Sequence, residues 1–329
     1  MEIIKIEDKF IDELTDIAVK EYKDECCKCS QLMKADFRKD IEEILHSLCK
    51  SKYGKVAIDN GKVIGYLSFW GPWDGYFATR KGAYSPVVGN GFIGDNRGKL
   101  ASLLFQAVGN DLAADGITSY AITRYAHDEE VGRSFVMNGF GIRCSDGIMK
   151  LSERRIITSA HPEISFRILK REEWKKVNQL DLGLTKHLLK APVFFPCDID
   201  ESKERFNSDE IKLFVAEAQG RIVGFMALSE DGESFLAEKY DMLNICGCYF
   251  EKEYRGDGIP AMLLEYICRY CEEQGKEYLG VDCETLNPTA LRFWGKHFEN
   301  YTYSYHRIID DRVVGYDKYL NSRIHLFDL

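Results

Sequence analysis

The chain has 329 residues, 45% hydrophobic and 29% charged, with a formal net charge of −9. That is ordinary globular composition and more than one domain's worth of sequence. The acidity opposes a nucleic-acid partner, whose phosphates are held by clustered Lys and Arg. No apolar run is long enough for a membrane span, and the N-terminus mixes both charge signs, unlike a secretion signal. Eleven cysteines without regular spacing in so large a chain read as reduced thiols and point to the cytoplasm. Cys26, Cys27 and Cys29 lack a second pair at zinc-ligand spacing, so no metal is expected.

In chain order, apolar residues at helical spacing come first: Phe10, Leu14, Ile17 and Ala18, then Phe37, Ile41, Ile44, Leu45 and Leu48. A hairpin follows, its apolar strands joined at Asn60-Gly61, where glycine accepts a positive φ at little cost. Asp95-Asn96-Arg97-Gly98 precedes a helix expected over residues 101–115, and Gly116 stands where that helix gives way to a strand. Residues 152–163, charged and interrupted by Ser and Pro162, read as a linker. A strand expected over residues 165–169 opens the second half, and Trp174, Val177 and Leu180 restore the helical period. The segment from His187 to Pro196, with two prolines and two adjacent aromatics, is expected either to line an acceptor pocket or to pack on the other domain. A second hairpin at Gln219-Gly220 then repeats the first. Val56-Ala57 and residues 61–66 match Val215-Ala216 and residues 220–225 at a constant offset of 159 positions, which also carries Gly116 onto Gly275. The order of elements repeats, and the expected domains are residues 1–155 and 163–329.

The strongest chemical signal lies between a strand expected over residues 243–250 and a helix running to about residue 274. There Arg255-Gly256-Asp257-Gly258-Ile259-Pro260-Ala261 forms a glycine turn that opens a helix. Glycine lets a ligand approach the backbone closely, and unpaired N–H groups at a helix N-terminus hold phosphate oxygens. Pro260 suits the first turn, where its missing N–H would have lacked an intrahelical partner. Neither the P-loop spacing nor the dinucleotide fingerprint is present.

Arg255-x-x-Gly258-x-Pro260 resembles the [Q/R]-x-x-G-x-[G/A] turn of the GNAT acyltransferase superfamily. Asn287-Pro288-Thr289-Ala290-Leu291-Arg292-Phe293-Trp294 matches that family's downstream Asn, Ala and aromatic pair. The resemblance implies an α+β fold in three αβα layers: two tandem GNAT-like domains, each a central mixed, mostly antiparallel sheet flanked by helices. It implies acetyl-CoA (coenzyme A) as co-substrate. Arg255, Gly256, Asp257, Gly258, Ile259, Pro260 and Ala261 would surround the pyrophosphate, the strand end Cys248, Tyr249 and Phe250 would follow the pantetheine arm, and Asn287 would lie close by. Pro260 departs from the pattern and removes one N–H donor. The first half resembles the same fold with a worn turn, because Asp95 replaces a basic or amide residue and would repel phosphate. Gly139-Phe140 does match the family's closing pair. Tandem members such as mycothiol synthase often keep one competent and one degenerate half, so residues 1–155 are expected to be the degenerate one.

By the same resemblance the chain is an N-acyltransferase, moving acetyl from acetyl-CoA directly to a primary amine of a small molecule. An acidic protein also favours the approach of a cationic acceptor. The transfer needs a base for the ammonium, stabilisation of the oxyanion, and a proton for the leaving thiolate. Asp282 and Glu284, at the end of a strand expected over residues 277–283, are the expected bases, with Glu217 a third choice. The family's usual acid is a tyrosine in the aromatic pair; Trp294 replaces it here, and an indole N–H does not titrate usefully. Tyr301, Tyr303 and Tyr305 alternate along a strand and share one face. Tyr303 is the expected substitute acid, against an aromatic ladder packing on a helix. A non-catalytic acyl-CoA-binding protein and a mycothiol-synthase-like transferase stay open as readings. A monomer or homodimer is expected, with no nucleic-acid or membrane partner.

Overall fold

The structure is a computed structural model that describes residues 1–76, 80–158, 161–195, 211–232, 234–239 and 241–314. Its first half runs β1 (Glu2–Lys5), α1 (Ile11–Cys26), α2 (Arg38–Cys49), β2 (Tyr53–Asp59), β3 (Lys62–Tyr76), β4 (Arg80–Ser85), β5 (Asn90–Phe92), α3 (Arg97–Ala114), β6 (Ser119–Tyr125), α4 (Glu129–Met137) and β7 (Gly141–Lys150). The second half repeats the pattern: β8 (Ile164–Ile168), α5 (Asn178–Leu188), β9 (Lys212–Ala218), β10 (Arg221–Ser229), β11 (Met242–Phe250), α6 (Ile259–Glu273), β12 (Tyr278–Glu284), α7 (Pro288–Trp294) and β13 (Glu299–Ile308). The α+β class expected from the sequence is the fold observed.

Each unit is built on a mixed sheet with helices on both faces. On β9, Phe214, Ala216 and Ala218 turn toward Leu263, Leu264 and Ile267 of α6, while Leu213 and Val215 turn toward Leu180 and Leu184 of α5. That is the period of two that a strand buried on both faces requires. In the first unit Leu100, Ala101, Leu104, Phe105 and Val108 of α3 pack on Ala57, Leu67 and Phe69. At about 1.5–3 kcal/mol for each fully buried large apolar side chain, these layers supply most of the driving force for folding.

Both sheets have the same strand order, but neither is made from one continuous half of the chain. The first unit comprises Met1–Lys28, Lys34–Arg143 and the chain from Thr302 onward; the second comprises Cys29–Met33 and Cys144–Tyr301. The first sheet therefore runs β1-β2-β3-β4-β6-β13, and the second runs β8-β9-β10-β11-β12-β7. β13 lies antiparallel to β6 from Thr302↔Tyr125 to Ile308↔Ser119, and β7 lies antiparallel to β12 from Lys150↔Tyr278 to Cys144↔Glu284. The boundaries expected from the sequence, 1–155 and 163–329, follow chain order and miss this exchange. A repeat at constant offset records which elements occur, not which edge each strand joins.

The first unit contains a buried ion cluster. Arg124 on β6 is 1% exposed, with Glu21 of α1 and Asp128 at the start of α4 both within hydrogen-bond reach. Its Nη1 donates to Glu21 Oε2 at 2.7 Å and its Nε to Asp128 Oδ2 at 3.0 Å, and the guanidinium lies over the Phe92 ring. Burial opposes the charge on Asp128, but Arg124 and then Arg97 outweigh it and hold the carboxyl below its ordinary value. A lowered carboxylate stabilises the fold at neutral pH, and that contribution is lost as pH falls through the lowered value.

Two outcomes follow from this architecture. Arg124→Met leaves buried Glu21 without its cation and Asp128 with Arg97 alone, and should lower the unfolding free energy by about 3–5 kcal/mol, read as a fall in the urea midpoint; an unchanged midpoint would contradict the cluster's structural role. Residues 163–329 expressed alone lack β7, which leaves the β12 edge open. That fragment should aggregate, and a soluble, folded fragment by size-exclusion and circular dichroism would contradict the exchange.

Candidate functional site

The site in the second unit begins where two parallel strands part. β11 and β12 pair from Met242↔Tyr278 to Ile245↔Val281 only, although β11 continues to Phe250 and β12 to Glu284. The register with β10 shifts at the same place, so that Cys246 forms a bulge. Beyond it, residues 247–250 keep β10 on one side and lose β12 on the other. Backbone N–H and C=O groups freed in this way are an edge on which an extended ligand can lie.

The turn after β11 is set by two glycines. Gly256 has φ 100° with nothing within 4 Å of the position a Cβ would take, and Gly258 caps α6 with φ 85°. The first intrahelical bond runs from Met262 N–H to Gly258 O at 2.9 Å, so the Ile259 and Ala261 amides precede the helix ladder. Pro260, in the first helical turn, contributes no donor. Arg255 braces the turn against the strand end: its Nε donates to Phe250 O at 2.7 Å and its guanidinium stacks 4.7 Å from the Tyr249 ring centroid. Phe250 itself sits against Gly224, where a Cβ would come within 2.1 Å of its ring. From the other side, His161 Nε2 lies 2.7 Å from Asp257 O while its Nδ1 lies 3.0 Å from Glu163. The Glu163 bond first, and the Asp257 carbonyl second, hold the His161 pKa above its ordinary value.

These elements enclose a groove of about 330 Å³. Cys248, Tyr249, Phe250, Arg255, Gly256, Pro260 and Asn287, all expected from the sequence, line it; Asp257, Gly258, Ile259 and Ala261 lie in the adjoining turn and helix start. The sequence reading did not single out Arg292 and Lys296, which also line it, nor the role of His187 on α5. Asn287 Oδ1 caps α7, 3.3 Å from Ala290 N, and the same oxygen lies 3.3 Å from His187 Nε2. Trp294 is a core residue, edge-to-face with Phe293 and Phe298. Burial pushes the Cys248 thiol up to about 12. Among the described residues no carboxylate lines this groove, although the chain carries a net charge of −9.

A second cavity, of about 380 Å³, has the opposite character. Asp146, Asp231 and Asp282 line it with Asn244, Cys246 and Tyr301, and no Lys or Arg does so among the described residues. Asp282 stands opposite Asp146 in the β12–β7 register. Glu284, the other expected base, ends β12 with one carboxylate oxygen buried and lines neither cavity. Glu217, the third choice, is bound to Arg167 at 2.8 Å. Tyr301 exchanges a hydrogen bond with Ser234 at 2.8 Å. The expectation for Tyr303 changes: from Thr302 onward β13 belongs to the first unit, where Tyr303 packs against that unit's core and Tyr305 lies within it. Burial pushes the Tyr305 hydroxyl up to about 12. Pro196, the end of the segment that begins at His187, lies outside the described residues.

In the first unit the corresponding donors are already used. Phe92, the counterpart of Phe250, gives its N–H to Glu21 Oε1 at 2.9 Å. Gly98, at the start of α3, gives its N–H to Glu130 Oε1 at 2.8 Å. Asp128, which the repeat offset carries onto Asn287, caps α4 and faces Arg124 and Arg97. The sequence signal for a worn half was Asp95; in the structure, Glu21 and Glu130 take the amides.

No candidate metal group of three or more His, Cys, Asp or Glu occurs among the described residues, and no helix there is long and apolar enough to cross a membrane. No curated protein matches the chain. Residues 183–298 match the sequence model of the Acetyltransferase (GNAT) family. Among solved structures, a GCN5-related N-acetyltransferase from Sphaerobacter thermophilus is 13% identical, with 93% of this chain and 95% of that one covered at a TM-score of 0.57. A GCN5-related glucosamine N-acetyltransferase region of a fungal multi-domain GH3 β-N-acetylglucosaminidase is 16% identical, covering 93% and 38% at a TM-score of 0.55. A tandem GNAT protein from the clavulanic acid biosynthesis pathway is 12% identical, covering 93% and 98% at a TM-score of 0.50. Part of the second half thus matches the GNAT family model, and the chain has the fold of tandem GNAT proteins.

Proposed function

We propose that the protein is an acyl-CoA-dependent N-acyltransferase that moves acetyl from acetyl-CoA to a primary amine of a small cationic molecule. The observation that carries this reading is the separation of charge along β11. Residues 248–250 border a groove with Arg255, Arg292 and Lys296 and no carboxylate among its described lining, while Asn244 and Cys246 border a cavity with three aspartates. Such a partition suits an anionic donor on one side of the bulge and an ammonium acceptor on the other. The helix amides at Ile259 and Ala261 suit the pyrophosphate, and the freed edge of residues 247–250 suits the pantetheine amides.

In the mechanism we infer, Asp282 draws the acceptor's ammonium into the acidic cavity and takes up its proton, directly or through water. The freed amine attacks the thioester carbonyl; the C–N bond forms and the C–S bond breaks. A covalent acyl-cysteine has little support from Cys248, because a thiol held near 12 supplies almost no thiolate at neutral pH. Direct transfer between two bound substrates is the simpler course. The second reading, a protein that binds acyl-CoA without turning it over, draws on Trp294, which fills the core where the family's acid usually stands.

The test is release of CoA thiol from acetyl-CoA across a panel of amines. Amino sugars form its first arm because one similar structure is a glucosamine N-acetyltransferase region. Turnover with at least one amine is expected; binding of acetyl-CoA with no thiol release from any amine would favour the second reading. Asp282→Asn should lower kcat by about 10²-fold or more with little change in the KM for acetyl-CoA. Gly258→Asp places a carboxylate at the helix N-terminus and should weaken acetyl-CoA binding by more than about 100-fold in calorimetry, with the melting temperature nearly unchanged.

A further inference from the structure

The departing CoA sulfur leaves as a thiolate and needs a proton, and Trp294 cannot give one. The proton-bearing side chains that line the donor groove are few. Arg255, Arg292 and Lys296 are cations suited to the donor's phosphates, and burial pushes the Cys248 thiol up to about 12. Tyr249 lies under the Arg255 guanidinium, and Thr289 carries a weakly acidic hydroxyl. His187 carries an imidazole, the side chain most often used for proton transfer.

The position of His187 is built rather than incidental. Leu184 and Leu188, on the same turn of α5, belong to one apolar cluster with Cys246, which lines the acidic cavity, and Tyr249, which lines the donor groove. The helix lies so close that a Cβ at Gly183 would be 2.7 Å from the Tyr249 ring. Asn287 Oδ1 is identified as the oxygen because it accepts from Ala290 N–H, so His187 Nε2, 3.3 Å away, must carry a proton. Nδ1 has no hydrogen-bond partner among the described residues. Lys186 and Lys190 flank His187 on its own segment, and no carboxylate faces it from the groove.

We propose that His187 delivers the proton to the departing CoA sulfur, with Asn287 holding its ring in the donor groove. The proposal rests on the acyltransferase reading above. As the C–S bond breaks, its electron pair goes to sulfur and the imidazolium gives sulfur a proton. The nitrogen gives up two protons on the way from ammonium to amide, the first to Asp282 and the second to solvent, and the imidazole regains one from solvent, so that once Asp282 has passed on its proton one proton is released per turnover. Asn287 is a positioning residue in this scheme.

The experiment compares the full-length protein with His187→Gln, whose amide N–H preserves a donor toward Asn287, and with His187→Ala. His187→Gln should lose about 30-fold or more in kcat, with the KM for acetyl-CoA within about 2-fold. Added imidazole should restore turnover to His187→Ala in a concentration-dependent way. Native kcat in His187→Gln across pH 6–9 would overturn the proposal. So would a large rise in KM at unchanged kcat, which would make His187 a binding group. Acetyl-CoA binding without thiol release by the native protein would overturn the acyltransferase reading itself, so the two failures are distinct.

Discussion

The functional reading depends on the early end of one parallel strand pair. β11 and β12 hold register for four residues and then separate at a bulge, beyond which four residues of β11 have a sheet partner on one side only. In a soluble protein an edge of that kind must be covered, paired or used. Here the turn beyond it is kept open by glycines, the helix behind it presents amides, and the charges around it are cationic.

The two units show how one strand arrangement can be committed to either stability or binding. Phe92 and Phe250 occupy corresponding places, yet the first gives its amide to Glu21 and the second ends a strand that borders an open groove. Asp128 and Asn287 both cap short helices; the aspartate is tied into the Arg124 cluster, while the asparagine meets a histidine. Buried charge that is paired on every side lines the first unit's cavity of about 380 Å³, and removing one partner leaves the others short of countercharge. A neutral amide at the same point leaves the second groove available.

Much of the fold and part of the site are legible in the sequence, for a physical reason. A glycine turn opening a helix is a contiguous signal, and Arg255 through Ala261 declare it in seven letters. Asn287 is legible because a cap needs a particular side chain at a particular place. The hairpin repeat is equally local. The strand exchange is not, because Thr302 pairs with Tyr125 across most of the chain and its alternation would look the same beside any edge. That is why Tyr301 and Tyr303 read as one face of a single strand, whereas the chain passes from the second unit to the first between Tyr301 and Thr302. Arg124 reads as an ordinary solvated strand residue until Glu21 and Asp128 are seen around it, and the three cations of the groove emerge only when turn and helix come together.

Amide hydrogen exchange, followed residue by residue with and without acetyl-CoA, tests most directly that one groove binds the donor and that the amides of the other are held by its own carboxylates. Slower exchange is predicted at residues 248–250 and at Ile259 and Ala261, with residues 90–98 unchanged. Protection at residues 90–98, or none at the start of α6, would contradict the account.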